Sequence, residues 1–280
     1  MIINTNMQAV ITNNSLWSKN IKLQKNSKNL ALGTKINTAG DDPAGMAISN
    51  KMKSQIAGLE IADRNTTDAI SLMQTAEGAV AEVQNMVQRM RELAVQGATD
   101  TLTDSDRELI QEEINQLVTE IHDFSKRVEF NERTLLNDKY DKLTFQIGEK
   151  EGMELVFDFK NMDANSLGLC TLNGTGNIKD IIDYSTRQGC ENAIETCDKA
   201  LNQINSFRAE LGAVQNRLEK NNNSLAVSTE NSKIALSRIM DTDMAYEMAE
   251  YTKNNILVQS GLAMLAQANQ RPNQLLSLLQ

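Results

Sequence analysis

Between Ala44 and Gln96 the apolar residues return every seven positions along two parallel rows. One row is Met52, Leu59, Thr66, Met73, Val80, Val87 and Ala94, and the other is Ala62, Ala69, Ala76, Val83 and Met90. An undistorted helix drifts off a strict seven-residue seam, so this repeat predicts a helix wound against partner helices. No proline follows Pro43 in the stretch, and about fifty residues at 1.5 Å rise form a rod of roughly 75–80 Å. A second row steps through Ile110, Ile114, Leu117, Ile121, Phe124 and Val128. It predicts a helix over 104–129, antiparallel to the first, with Ser105 and Glu108 as its capping box. A third row, Cys190, Cys197, Ile204, Leu211, Leu218 and Leu225, joined by Ala193, Ala200, Phe207 and Val214, predicts a rod over 189–225. Past Asn221–Asn223 the pattern continues through Ile234, Ile239, Met240, Met244 and Met248.

The ends of the chain are patterned differently. Ile3, Met7, Val10, Trp17 and Ile21 form one stripe of an amphipathic helix over 1–34, whose polar face is rich in amides rather than charges. Ile256, Leu257, Leu262 and Leu265 form the matching stripe near the C-terminus, followed by Leu275 and Leu276. Residues 32–43 break the period with Gly33, Gly40 and Pro43 and read as a connector between two layers. From Tyr140 the period changes to two: Leu143, Phe145 and Ile147, then Leu155, Phe157 and Phe159, predict a β-hairpin around Gly148–Gly152. Residues 161–186 read as irregular, part of a lobe over 140–186 that caps one end of the rods.

The expected fold is mainly α. A terminal-helix coiled-coil domain is built from 1–43 with 231–280, and a rod domain from 44–230. Composition agrees with it, since only 4% of the residues are aromatic and there are two prolines and one histidine. Net charge is −9, yet residues 1–40 carry five lysines and no acid, and 252–280 carry only Lys253 and Arg271. The two ends therefore face a different environment from the acidic middle. A net acidic chain argues against nonspecific nucleic-acid binding, and no apolar run is long enough to span a membrane. No cleavable secretion signal is recognisable in Met1–Asn20. Cys170, Cys190 and Cys197 have neither zinc spacing nor an even count for a disulfide framework.

At this point longer strings become informative. INTAGDDPAGMAIS (36–49), ISLMQTAEGAV (70–80), QRMRELAVQ (88–96), RAELGAVQNRLE (208–219), RIMDTDMAYEMAEYTKNNIL (238–257) and AMLAQANQ (263–270) are collinear and lie in both halves. With FQIGEKEGMEL (145–155) and NSLGL (165–169), they resemble bacterial flagellin, the subunit of the flagellar filament. The resemblance implies an inner layer of paired terminal helices, and a rod layer of three long helices with a hairpin. Only about thirty residues, 160–188, separate the hairpin from the C-terminal rod, so the chain resembles a minimal flagellin. NLALGTK at 29–35 departs from the family's usual serine pair, and three cysteines are uncommon there.

The same resemblance implies function, partners and sites. It implies a subunit that polymerises into a helical filament for swimming, exported without a cleaved signal through the flagellum's own channel to an extracellular position. A hook–filament junction protein, which shares the terminal helices, is the alternative. Expected partners are further copies, the export apparatus, a C-terminal chaperone, a filament cap, hook-associated junction proteins and the vertebrate Toll-like receptor for flagellin. Subunit and receptor contacts fall on Gln88, Arg89, Glu92, Leu93, Gln96 and Glu113, with Leu93 read as an exposed leucine one turn from Arg89. Self-assembly falls on Ile3, Met7, Val10, Trp17, Ile21, Ile256, Leu257, Leu262 and Leu265. Chaperone contacts fall on Ile256, Leu262, Leu265, Leu275 and Leu276. Some family members carry an inserted peptidase domain, which needs a motif such as H-E-x-x-H. His122 is the one histidine and is followed by Asp-Phe, so it reads as a surface or flanking residue. No catalytic residue, metal or cofactor is expected. A membrane-surface role for the basic first 35 residues is weighed and set aside because aromatics are sparse and the polar face is amide-rich.

Overall fold

The computed structural model describes residues 6–137, 142–172 and 178–278. Their contacts divide the chain into two compact units, 57–229 and 1–56 with 230–280. Among the described residues the elements in order are α1 (Met7–Leu32), α2 (Pro43–Gly97), α3 (Asp104–Arg127), β1 (Glu129–Phe130), β2 (Arg133–Thr134), β3 (Lys142–Gln146), β4 (Glu154–Asp158), β5 (Cys170–Leu172), β6 (Ile178–Ile181), α4 (Arg187–Met240) and α5 (Met244–Leu278).

Unit 57–229 is built on the seven-residue seams. Met73, Ala76, Val80, Val83, Val87, Met90 and Ala94 of α2 bury with Ile114 and Ile121 of α3 and with Cys190, Cys197, Ile204, Phe207, Leu211 and Leu218 of α4 in one hydrophobic core. Polar groups lock the register along its flanks. Arg91 Nε lies 2.6 Å from Asp198 Oδ1, and Arg208 Nη1 donates to Gln84 Oε1 at 2.7 Å. At the turn between α2 and α3, buried Arg107 donates from Nε to the Gly97 carbonyl and from Nη2 to the Thr99 carbonyl. These C-terminal carbonyls have no helical partner, so a side-chain cation takes the place of a backbone cap. The N-terminus of α3 is capped by Thr103 and Asp106, not by the Ser105–Glu108 pair that the sequence suggested. Thr103 keeps an extended backbone, and its Oγ1 accepts from Asp106 N.

Strands β3 and β4 pair antiparallel as the alternation predicts, with Leu143 opposite Phe157 and Phe145 opposite Leu155. Two further hairpins were not read from the sequence. β1 and β2 close through Asn131 and Glu132, both left-handed at φ 51° and 64°, the geometry of a tight hairpin turn. β5 and β6 pair across 170–181, a region expected to be irregular.

The lobe does not cap one end. Ile147 O accepts from Asn221, His122 bonds Asp163, Lys160 Nζ lies 2.5 Å from Glu210, and Gln111 bonds both Ile182 O and Tyr184 N. It therefore runs along the helices and buries Leu135, Leu136, Leu155, Phe157, Leu167 and Leu169 in the same core. His122, read as a surface or flanking residue, lies on the flank of the α3 seam and is buried there. A histidine beside a seam residue is covered when a distant segment crosses that flank and supplies a carboxylate.

In the other unit α1 and α5 pair antiparallel. Asn6 Nδ2 donates to Ala268 O at one end, and Asn29 Nδ2 donates to Glu247 Oε1 at the other. Between them Gly261 lies so close to Leu16 that a Cβ there would meet Leu16 Cδ2 at 2.7 Å. The covered row of α5, Glu247, Tyr251, Asn254, Val258, Gly261, Leu265 and Ala268, again steps by four and three. Buried Asn29 and Asn254 make this seam partly polar.

The connector explains its own sequence. Gly33, at φ 69°, closes α1 in the left-handed conformation. Lys35 N then donates to Met240 O, and Thr242 N to Gly33 O, fastening the connector to the α4–α5 junction. Asp42 Oδ1 accepts from Ala44 N and Gly45 N at the start of α2. At Gly45 a Cβ would fall 2.4 Å from Asp42 Oδ2 and 2.7 Å from Ile36 Cδ1, so a larger residue there would have to displace the Asp42 carboxylate that caps α2 or the Ile36 side chain. Helix α4 runs unbroken from Arg187 to Met240, past the boundary at 225 expected for the rod and along the pattern that continues through Ile234 and Ile239.

Candidate assembly and recognition surfaces

Two surfaces contain the residues singled out in the sequence. On the terminal helices Met7, Val10, Trp17 and Ile21 of α1 are exposed, Trp17 at 69%. Ile256, Leu257 and Leu262 of α5 are exposed as well. Pairing of α1 with α5 uses a different row of each helix and leaves these stripes uncovered. Leu265 differs, being half-buried on the row that faces α1. Ile3 lies outside the described residues, as do the side chains of Leu275 and Leu276.

On α2, Gln88, Arg89, Glu92 and Gln96 are all exposed, and Glu113 of α3 is exposed beside them. Arg89 Nε and Nη2 both lie 2.9 Å from Glu113 Oε1, while Nη1 is 3.6 Å from Glu92 Oε2. Hydrogen bonding to Glu113, then its charge, raises the Arg89 pKa above its ordinary value. The arrangement fixes a guanidinium across two helices instead of leaving a mobile surface cation.

Leu93 does not belong to this surface. It is 2% exposed and packs in the core of unit 57–229. The reason is a third heptad row, Leu72, Ala79, Met86 and Leu93, each of them buried or packed against that core. Two rows suffice for a helix with one partner, whereas a helix in contact with two helices and a lobe needs a wider apolar face. The exposed leucine is Leu109 of α3, at 72%, one turn before Glu113. It stands immediately before seam residue Ile110 and off the row, which was its only sequence signal. Val95, also exposed, lies on α2 beside Gln96.

The buried nucleophiles are quiet. Burial pushes the Cys170 thiol up to about 11, with Asp163 adding to the effect. Burial likewise raises Cys190 and Cys197. Tyr184 Oη lies 3.5 Å from Cys197 Sγ, and Cys190 Sγ donates to Tyr184 O at 3.2 Å. With little thiolate near neutral pH, all three act as small core residues.

Long paired helices with uncovered apolar faces define a coiled-coil structural protein. Within that class, the chain belongs to the bacterial flagellin family. The N-terminal helical region of bacterial flagellin matches residues 3–141, and the C-terminal helical region matches 194–279. Over its whole length the chain is 45% identical to a flagellin of Bacillus subtilis, covering all of both chains. It is 43% identical to a flagellin of Halalkalibacterium halodurans and 42% identical to a flagellar filament core protein of Treponema phagedenis, again with full coverage of both. Among solved structures, Bacillus cereus flagellin matches with a TM-score of 0.50 at 28% identity, over 58% of this chain and 88% of that one. A chain described as a flagellar hook-associated protein of Vibrio parahaemolyticus matches with a TM-score of 0.59 at 12% identity, over 72% and 100%, a likeness of fold alone.

Proposed function

We propose that the chain is a structural subunit that self-assembles into the helical bacterial flagellar filament and serves swimming motility. The observation that carries this reading is the uncovered apolar stripe on each terminal helix, Met7, Val10, Trp17 and Ile21 on α1 and Ile256, Leu257 and Leu262 on α5. Apolar surface of this extent stays in water only until something covers it. Further copies joined head-to-tail without closing cover it and yield a helical polymer. Similarity over the full length to a flagellin, at 45% identity, favours the filament subunit over a hook–filament junction protein.

Finer roles follow from the same surfaces. Gln88, Arg89, Glu92, Gln96 and Glu113 serve as a contact for the neighbouring subunit and, in free monomer, for the vertebrate Toll-like receptor for flagellin. The preset Arg89–Glu113 bridge supports this reading because it reduces the ordering required on binding. Before assembly the stripe of Ile256 and Leu262, continued by Leu275 and Leu276, needs shielding, a task suited to a C-terminal export chaperone. Export through the flagellar channel without a cleaved signal, a filament cap and hook-associated junction proteins complete the proposed pathway to an extracellular filament.

Removal of residues 255–280 tests the central claim. The truncated chain is expected to form no filaments by negative-stain imaging, while its circular dichroism remains helical through unit 57–229. Filament growth at the full-length chain's concentration would refute assembly through α5.

A further inference from the structure

We propose that Met7, Met244, Met248 and Met264 form an oxidation-sensitive set on the unassembled chain, and that converting them to sulfoxides blocks assembly. This rests on the reading that copies join through the exposed faces of α1 and α5.

The methionines of the chain divide by environment. Met73, Met90, Met162 and Met240 are buried. The four named residues are between 48% and 61% exposed and all stand on the terminal helices, whereas Met153, 46% exposed, belongs to unit 57–229 and is common to both chains of the test below. Hydrogen bonds across the α1–α5 pair place them. Asn6 bonds Ala268 O, so Met7 and Met264 lie towards one end, while Asn29 bonds Glu247, between Met244 and Met248, towards the other. Since all four are exposed, damage at either end falls on surface that the α1–α5 pairing leaves uncovered.

The reagent class is a peroxide, such as hydrogen peroxide. The thioether sulfur attacks one peroxide oxygen; an S–O bond forms, the O–O bond breaks, and the second oxygen leaves as water, taking up the proton lost from the first. Sulfur gives up two electrons and the peroxide accepts them, so the reaction balances with no further reactant. A flexible apolar side chain becomes a polar one with a strong acceptor oxygen.

The local surroundings make that oxygen hard to satisfy. Met248 lines an open groove on α5 with Ala249, Thr252, Lys253, Ile256 and Leu257. Of its two polar neighbours, Thr252 Oγ1 donates to Met248 O at 2.8 Å, and Lys253 Nζ bonds Glu250 and points a charged group to the rim, so the rest of the lining is apolar. When a second copy closes over the groove, a sulfoxide there sets a strongly polar oxygen against the apolar lining of Ala249, Ile256 and Leu257 and must give up water to do so, which disfavours the contact. The thioether instead fills an irregular apolar surface well. In the finished polymer the same burial keeps peroxide away.

The test uses the full chain. Monomer is treated with hydrogen peroxide until mass spectrometry shows sulfoxide at the four positions, and the critical concentration for polymerisation is compared with that of untreated chain. It is expected to rise by about tenfold or more, with unchanged helical circular dichroism, and to return after treatment with methionine sulfoxide reductases. A chain carrying Met7→Leu, Met244→Leu, Met248→Leu and Met264→Leu is expected to show the same critical concentration before and after peroxide, whatever that value is. Preformed polymer is expected to resist oxidation at the four positions. Oxidised monomer that polymerises like untreated chain, an equal peroxide effect in the four-leucine chain, or equal oxidation of monomer and polymer would overturn the inference. Untreated chain lacking 255–280 serves as a separate arm, because its polymerisation would instead refute assembly through α5.

Discussion

Arg107 shows how one buried side chain can hold a helix turn together. It takes the Gly97 carbonyl at the end of α2 and the Thr99 carbonyl in the turn beyond it, and pairs Asp104 at 2.8 Å from Nη1. With Arg107→Ala the carbonyl of buried Gly97 loses its charged donor, and the carbonyl of exposed Thr99 turns to water. The expected loss is about 2–3 kcal/mol of stability, read as a lower urea midpoint. Asp41 acts at the connector. Lys25, at 2.9 Å, holds its carboxyl well below the usual carboxylate range, assisted by the Thr38 hydroxyl and the amides of Asn37 and Thr38. A group with a depressed folded-state pKa contributes above its unfolded value, about 3.9, and loses that contribution as pH falls through the folded value. Asp41→Asn is therefore expected to melt below the native chain at pH 6, with a gap that narrows below pH 4. Thermal unfolding at stepped pH checks it.

At the scale of elements, one glycine sets how closely α1 and α5 approach. In an exposed helix, exchanging Gly for Ala gains about 1 kcal/mol. At Gly261 the added Cβ would meet Leu16 Cδ2 at 2.7 Å and Cγ at 3.1 Å, and the sign reverses. Gly261→Ala is expected to lower stability by about 1–2 kcal/mol, and Leu16→Ala in the same chain to recover part of it. A double-mutant cycle followed by thermal circular dichroism measures the coupling. The seam these residues belong to was poorly visible in the sequence. It contains Asn6, Asn29, Glu247 and Asn254, so a search for apolar rows finds the opposite face, Met7, Val10, Trp17 and Ile21. The hydrophobic pattern of these helices points to surfaces their own chain leaves open.

At the scale of the molecule, the two units differ in what holds them. Unit 57–229 buries a continuous core of aliphatic and aromatic side chains. The unit of 1–56 with 230–280 relies on a partly polar seam and leaves large apolar residues in water. Local opening is governed by buried apolar contact. In monomer, amides of α1 and α5 are expected to exchange with solvent at least about a hundredfold faster than those at Met73–Met90 and Ile204–Leu218, and to slow on polymerisation. Hydrogen exchange read by mass spectrometry decides it, and equal protection in both units would contradict it.

The seven-residue repeat was enough to determine the long helices of the middle of the chain and the seam residues of α2, α3 and α4, and the two-residue alternation was enough to determine the β3–β4 pairing. Each depends on spacing within one segment, and a helix or strand converts spacing directly into a face. Tertiary structure alone decided which faces are covered. His122 is buried where Asp163 of the lobe meets α3, Leu93 is buried in the core that α2, α3 and α4 share with the lobe, and Leu109 stays exposed with no described residue covering it. Coverage depends on residues far away in the chain, and no local period records where they fold back.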